Sequence, residues 1–241
     1  MVKIRKLTEI LRDYPDFKLG WNASEESLPD GTAVVTGIEN PKFGIVERVV
    51  VCRDNGEPMY DKYQIAEGPV LSNGTRKASA VIVPFFREEG ILYVGLIKNL
   101  RELVINPETG MQGYASTELP RGFANLEDAT NEETAKRELG EETGKVAKTI
   151  NKIGGVNPNT AFYATSLGVY AVEVDPTIKS SLKPDQKEII LKCEFVPYAD
   201  LRQMVAKQEI SCGLSLSALM LFDSYLFSAE SGEKSRLRRQ K

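Results

Sequence analysis

Residues 118–142 hold eight acidic side chains, Glu118, Glu127, Asp128, Glu132, Glu133, Glu138, Glu141 and Glu142, against Arg121, Lys136 and Arg137. No other stretch constrains the fold as strongly. Thr130 followed three residues later by Glu133 is a capping box, which satisfies the free amides of a helix start. Gly144 stands where a C-cap glycine belongs. The helix predicted from Thr130 brings Glu138, Glu141 and Glu142 to positions i, i+3 and i+4, on one face. Three like charges there repel and weaken the helix. A divalent cation reverses that sign, and carboxylate oxygens are natural ligands for Mg²⁺ or Mn²⁺. A merely solvated glutamate face is the ordinary alternative.

The rest of the 241-residue chain narrows the chemistry by what it lacks. Histidine is absent, which removes Ser-His-Asp and Cys-His catalysis and histidine-ligated zinc. The net charge of −3 argues against a nucleic-acid binder, so no nucleic-acid partner is expected. Cys52, Cys193 and Cys212 are odd in number and lack CxxC spacing, which reads as reduced thiols. No signal-peptide core or membrane-length apolar run is evident, so the expected location is cytoplasmic, with no membrane partner.

Three segments are expected. Residues 1–75 read as an N-terminal helix over 3–13, a loop over 20–42 with one short strand at Ala33–Thr36, and an antiparallel meander. The meander pairs Ile45–Cys52 with Tyr60–Ile65 around Asp54-Asn55-Gly56, a strong hairpin signal. Residues 76–228 read as the main domain. Strands are expected at Ala78–Phe85, Ile91–Leu96, 152–156, 166–174 and 188–196, helices at Pro197–Ala206 and Leu214–Phe227, and a long loop at 104–117. Residues 229–241 read as a disordered basic tail. Strands and helices without regular alternation imply α+β or a mixed α/β sheet covered by helices.

The stretch Arg137-Glu138-Leu139-Gly140-Glu141-Glu142-Thr143-Gly144 resembles the second half of the Nudix box, signature of the Nudix hydrolase superfamily. The first half departs from it: Gly122 lies fifteen residues before Arg137, where the family spacing is fourteen. One inserted residue in the loop accounts for this, with Asp128 or Glu127 in the place of the first box glutamate. Lys145 stands where the family has an apolar residue. The resemblance implies a Nudix α/β/α sandwich and hydrolysis of a diphosphate linked to another group. It implies Glu138, Glu141 and Glu142 as ligands of Mg²⁺ or Mn²⁺, with Glu138 also catalytic. Gly122, Arg137 and Gly144 are implied as structural, Arg137 by orienting a neighbouring glutamate.

More of the chain is similar to the ADP-ribose pyrophosphatase branch. Glu118-Leu119-Pro120-Arg121-Gly122 stands where that branch has its pre-box motif. This implies a substrate role for Glu118, a backbone-carbonyl metal contact at Arg121, and a substrate-binding arginine at Arg101. Glu188, in Asp185-Gln-Lys-Glu188, is the implied general base. The stretch Ile210-Ser-Cys-Gly-Leu-Ser-Leu-Ser-Ala218 resembles the branch's opening of the last helix. Asn157-Pro-Asn-Thr160 departs from its post-box motif. The expected substrate is a nucleoside diphosphate derivative such as ADP-ribose or a nucleotide sugar, turned over by a homodimer. The alternatives are a dinucleotide or cap-type pyrophosphatase, or a nucleotide sensor without turnover.

Overall fold

The computed structural model describes residues 7–17, 22–40, 43–69, 76–105, 112–178 and 189–238. Helix α1, Leu7–Asp13, falls where the apolar stripe predicts one. Strands β1 (Asn22–Ser27), β2 (Ala33–Asn40), β3 (Gly44–Cys52) and β4 (Pro58–Glu67) form a four-stranded antiparallel sheet in chain order. The β3–β4 hairpin falls where the sequence predicts it. The loop expected over 20–42 is instead a second hairpin. Its turn closes through Leu28 N donating to Thr32 O at 2.8 Å and Thr32 N to the Asp30 carboxylate at 2.9 Å. Strand β1 reads Asn-Ala-Ser-Glu-Glu-Ser and lies mostly exposed, so backbone pairing with β2 makes it a strand and no apolar period marks it.

The second sheet has seven strands and is mixed. Its path runs β11 (Ile190–Pro197), β6 (Ile91–Ile105), β5 (Ala80–Glu88), β10 (Leu167–Val174) and β9 (Ala147–Val156). Strand β7 (Gln112–Glu118) joins β6, and the two-residue β8 (Arg121–Gly122) joins β5. Strands β5 and β10 pair in parallel at the centre. Much of the loop expected at 104–117 is strand: Arg101 pairs with Tyr114 and Ile105 with Gln112. Gly113 and Ser116 misled because ladder bonds do not depend on side-chain type.

Central burial follows the pleat. Ala80, Ile82, Tyr170 and Val172 face one side and pack on Ala135 and Leu139 of α2 (Asn131–Thr143). Val81, Val83, Val169 and Ala171 face the other. They pack on Leu201 of α3 (Tyr198–Ala206) and on Ala218, Leu219 and Phe222 of α4 (Gly213–Arg238). The result is an α/β/α sandwich with a mixed central sheet, as expected. Helix α4 runs on to Arg238 rather than stopping at Phe227. No helix among the described residues is long and apolar enough to cross a membrane.

The two sheets meet at the end of β4. Ile65 N donates to Phe162 O at 2.6 Å and Ala164 N to Ile65 O at 2.8 Å. Glu67 N then donates to the Thr165 hydroxyl at 3.2 Å.

Candidate active site

Helix α2 begins and ends as its local sequence demands. The Thr130 hydroxyl accepts from Glu133 N at 3.2 Å. The Glu133 carboxylate accepts from Ala129 N, one residue before the cap, at 2.5 Å. Gly144 adopts φ 65°, a left-handed conformation that glycine takes without strain, and its amide returns to Gly140 O.

Arg137 is the hub of the helix face. Its Nη1 donates to Glu138 at 2.7 Å and to Glu141 at 2.9 Å. Its Nη2 donates to Phe123 O at 2.8 Å and to Asp128 at 3.0 Å, and its Nε to Asp128 at 3.1 Å. Arg137 thus ties Glu138, Glu141 and Asp128 together. Asp128 also accepts from Asn125 N at 3.0 Å and from the Thr134 hydroxyl at 2.9 Å. Burial would raise its carboxyl, but the Arg137, Asn125 and Thr134 hydrogen bonds outweigh that and hold it below the usual range. Of the two candidates for the first acidic position, Asp128 is the buried one and it grips Arg137; Glu127 is exposed.

The box glutamates converge on β8. The fully buried Glu142 accepts from Arg121 N at 2.8 Å. The Glu138 carboxylate covers Gly122 so closely that a Cβ there would lie 2.0 Å from Glu138 Cδ. This is the physical reason for glycine at 122. Among the described residues, no three acidic or thiol side chains stand close enough to hold an ion. The donor set still fits one. The donors against β8, the Glu138 and Glu142 carboxylates, are all oxygen, which suits Mg²⁺ or Mn²⁺.

Arg101 and Glu118, both expected to bind substrate, bind each other. Arg101 Nη2 donates to Glu118 at 2.6 Å and its Nε at 3.1 Å, while Arg121 Nη2 lies 3.3 Å away. Burial pushes the Glu118 carboxyl up, but the two arginines pull it lower, so it stays charged. Glu118 thus braces the two arginines, and the arginines face the cleft. The preceding loop is fixed to the last helix, where Leu119 N donates to the Ser215 hydroxyl at 2.9 Å. Glu188 lies outside the described residues.

A cleft of about 270 Å³ opens beside these groups, lined by Glu67, Ser79, Arg101, Arg121, Phe123 and Tyr163 among others. Sequence reasoning missed Glu67 and Ser79. It also missed Lys77. The Lys77 ammonium donates to Asn125 O at 2.9 Å, to Leu126 O at 2.8 Å and to Asp128 O. It thereby ties down the loop that carries the inserted residue. No local signal marks it, because its partners lie some fifty positions along the chain. Lys145, in place of the apolar residue, donates to Pro176 O at 2.7 Å and Ile178 O at 3.0 Å and lies over the Phe195 ring. Its aliphatic stem substitutes for the missing apolar side chain.

Fold and site together define an α/β/α protein with a carboxylate-rich helix beside an arginine-lined cleft, a class that handles anionic ligands. The family model for the NUDIX domain matches residues 75–211, more than half of the chain. The chain belongs to the NUDIX domain family, and with Glu138, Glu141 and Glu142 of the box in place it is a Nudix pyrophosphohydrolase. A solved structure described as an ADP compounds hydrolase is similar with a TM-score of 0.56 at 16% identity. The match covers 88% of this chain and 96% of that one, and at this identity it speaks to the fold. The NUDIX domain of Shewanella oneidensis NrtR, solved with ADP ribose, matches at 19% identity and a TM-score of 0.45, covering 63% of this chain and 89% of that one. No curated protein matches the chain.

Proposed function

We propose that this protein hydrolyses the pyrophosphate bond of a nucleoside diphosphate joined to a sugar, ADP-ribose or a nucleotide sugar, with Mg²⁺ or Mn²⁺. The observation that carries this is the convergence of Glu138 and Glu142 on Arg121–Gly122, at the edge of a cleft lined by Arg101 and Arg121. Glu138, Glu141, Glu142 and the Arg121 carbonyl would hold the metal. When bound, the ion neutralises phosphate oxygens and acidifies water. The chain's own residues do the rest. Arg137 sets the side chains of Glu138 and Glu141, and Glu118 aims Arg101 and Arg121 toward the phosphate oxygens. A carboxylate takes the proton of the attacking water. Glu188 is the candidate from the branch resemblance, and Glu138 is the box member assigned a catalytic part.

The intact trio favours turnover over sensing alone. We assign catalysis to residues 76–228 and substrate-wall and assembly roles to 1–75, a division supported by the two separate sheets. Val50 and Tyr63 lie on one face of the β3–β4 ladder and are exposed, which supports a homodimer through that sheet. Light scattering at micromolar concentration tests it, and a monomer refutes it. Three free thiols support a reducing, cytoplasmic setting.

The function is tested by assaying ADP-ribose, nucleotide sugars, NADH, dinucleoside polyphosphates and nucleoside triphosphates with Mg²⁺ or Mn²⁺. Preference for ADP-ribose or a nucleotide sugar, abolished by EDTA, is expected. Tight binding without turnover would make the protein a sensor.

A further inference from the structure

The cleft carries opposite charges on its walls, and the hydrolytic chemistry accounts for only one of them. Arg101 and Arg121 suit phosphate oxygens. Glu67 faces the same space and stands apart from the carboxylates of α2 that converge on β8. It does not arrive there by accident of a loose loop. The backbone around it is bound on both sides, by Ile65 to Phe162 and Ala164, and by Glu67 N to Thr165. Its carboxylate accepts from the Ser79 hydroxyl at 3.4 Å, and Tyr163 lines the same cleft. Ser79 is only 5% exposed. Among the described residues no basic side chain forms an ion pair with Glu67. Burial raises its carboxyl above the ordinary value, and burial and the Glu67 charge raise the Tyr163 phenol.

A phosphate set against this wall would be repelled. A neutral group rich in O–H donors would not. An ionised carboxylate offers two acceptor oxygens, so it can take both hydroxyls of a vicinal diol, and bonds to a charged acceptor are about twice as strong as neutral ones. The Ser79 and Tyr163 hydroxyls add partners that donate or accept as needed. The cleft is at the small end of ligand pockets, which run from roughly 300 to 1,000 Å³. It has room for a sugar and its phosphate. We propose that Glu67, Ser79 and Tyr163 form the subsite for a sugar carrying a free vicinal diol, on the far side of the pyrophosphate from the nucleoside. The inference rests on the proposed function and names the residues that read its leaving sugar.

The test pairs two ligands with two proteins. Wild type and Glu67→Gln are compared on ADP-ribose and on its analogue with a 2-deoxy terminal ribose. Turnover is followed with Mg²⁺ and binding by calorimetry in EDTA. Loss of one charge-assisted hydrogen bond predicts a roughly ten- to hundredfold weaker kcat/KM and Kd for Glu67→Gln on ADP-ribose. The two proteins should differ by less than about twofold on the deoxy analogue, within the noise of additivity. Tyr163→Phe should give a smaller loss of the same pattern, and it keeps the question open to test if Glu67→Gln does not fold. Equal losses on both ligands, or none on either, would overturn the subsite and leave Glu67 as a brace. Discrimination between ADP-ribose and IDP-ribose through Glu67 would assign it to the base and overturn the sugar reading. Hydroxyl-dependent binding without hydrolysis would keep the subsite and remove the enzyme. Failure to bind either compound would overturn both.

Discussion

The two walls of the cleft are built on opposite principles. The box side, from Leu119 to Lys145, is dense, buried and cross-tied by one arginine and one lysine. The side contributed by the N-terminal sheet is open: β3 and β4 bury few side chains, and Glu67 reaches the cleft through a short backbone docking at 65–67. The first wall sets Glu138 and Glu142 against one short strand and ties Glu138 and Glu141 to Arg137, which demands many constraints. The second holds one carboxylate and two hydroxyls and needs few. The comparison teaches that the charge-dense wall takes its precision from ion pairs and capping, whereas the other takes it from where two sheets meet.

The largest effect should come from the dense wall. Glu142→Gln is expected to lower metal-dependent turnover at least about a hundredfold, since metal charge stabilisation is worth several kcal/mol, with an unchanged circular dichroism spectrum. Near-normal turnover would remove Glu142 from the site. Next comes packing. Leu139, fully buried under α2, should cost about 2–5 kcal/mol as Leu139→Ala, whereas the exposed Val50→Ala should stay within about 0.5 kcal/mol. Denaturant titration reads both, and comparable losses would erase the contrast between the regions. Lys77→Met should cost about 2 kcal/mol by freeing three loop carbonyls from a charged donor. It should also weaken activation by Mg²⁺, because Asp128 and hence Arg137 lose their anchor. Unchanged metal activation would confine Lys77 to a purely structural role.

The smallest effect is in pH dependence, and the two walls should differ in sign. Asp128 is held below its ordinary value, so it stabilises the fold at neutral pH. That contribution is lost as pH falls from about 3.9, the ordinary Asp value, through its lower folded value. Glu67 is held above its ordinary value. Its ionised form therefore costs the fold stability at neutral pH, and that stability is regained as pH falls through its folded value toward about 4.3, the ordinary Glu value. Thermal melts of Asp128→Asn should show a flatter acid limb than wild type, and melts of Glu67→Gln a steeper one. Parallel limbs would show that neither carboxyl is perturbed.

Legibility followed the range of the interactions. The caps at Thr130 and Gly144, the apolar run over Ala78–Phe85, and the β3–β4 turn are set within a few residues, and each is readable along the chain. Strand β1 was not, since nothing but its ladder with β2 makes it a strand. The pairing of Arg101 with Glu118 was readable only as two separate candidates, because antiparallel pairing of β6 with β7 is what sets them side by side. The choice of Asp128 over Glu127 likewise needed the loop's path over Arg137.

By itself, then, the sequence determined the charged helix, its caps and its family, because helical spacing and capping chemistry act over three or four residues. Only the tertiary structure decided that Lys77 would hold the box loop and that Glu67 would complete the cleft. Those contacts span separations of 48 to 51 residues for Lys77 and 98 for Glu67 to Thr165. Over such distances the partner is chosen by how the two sheets pack, and no local pattern encodes it.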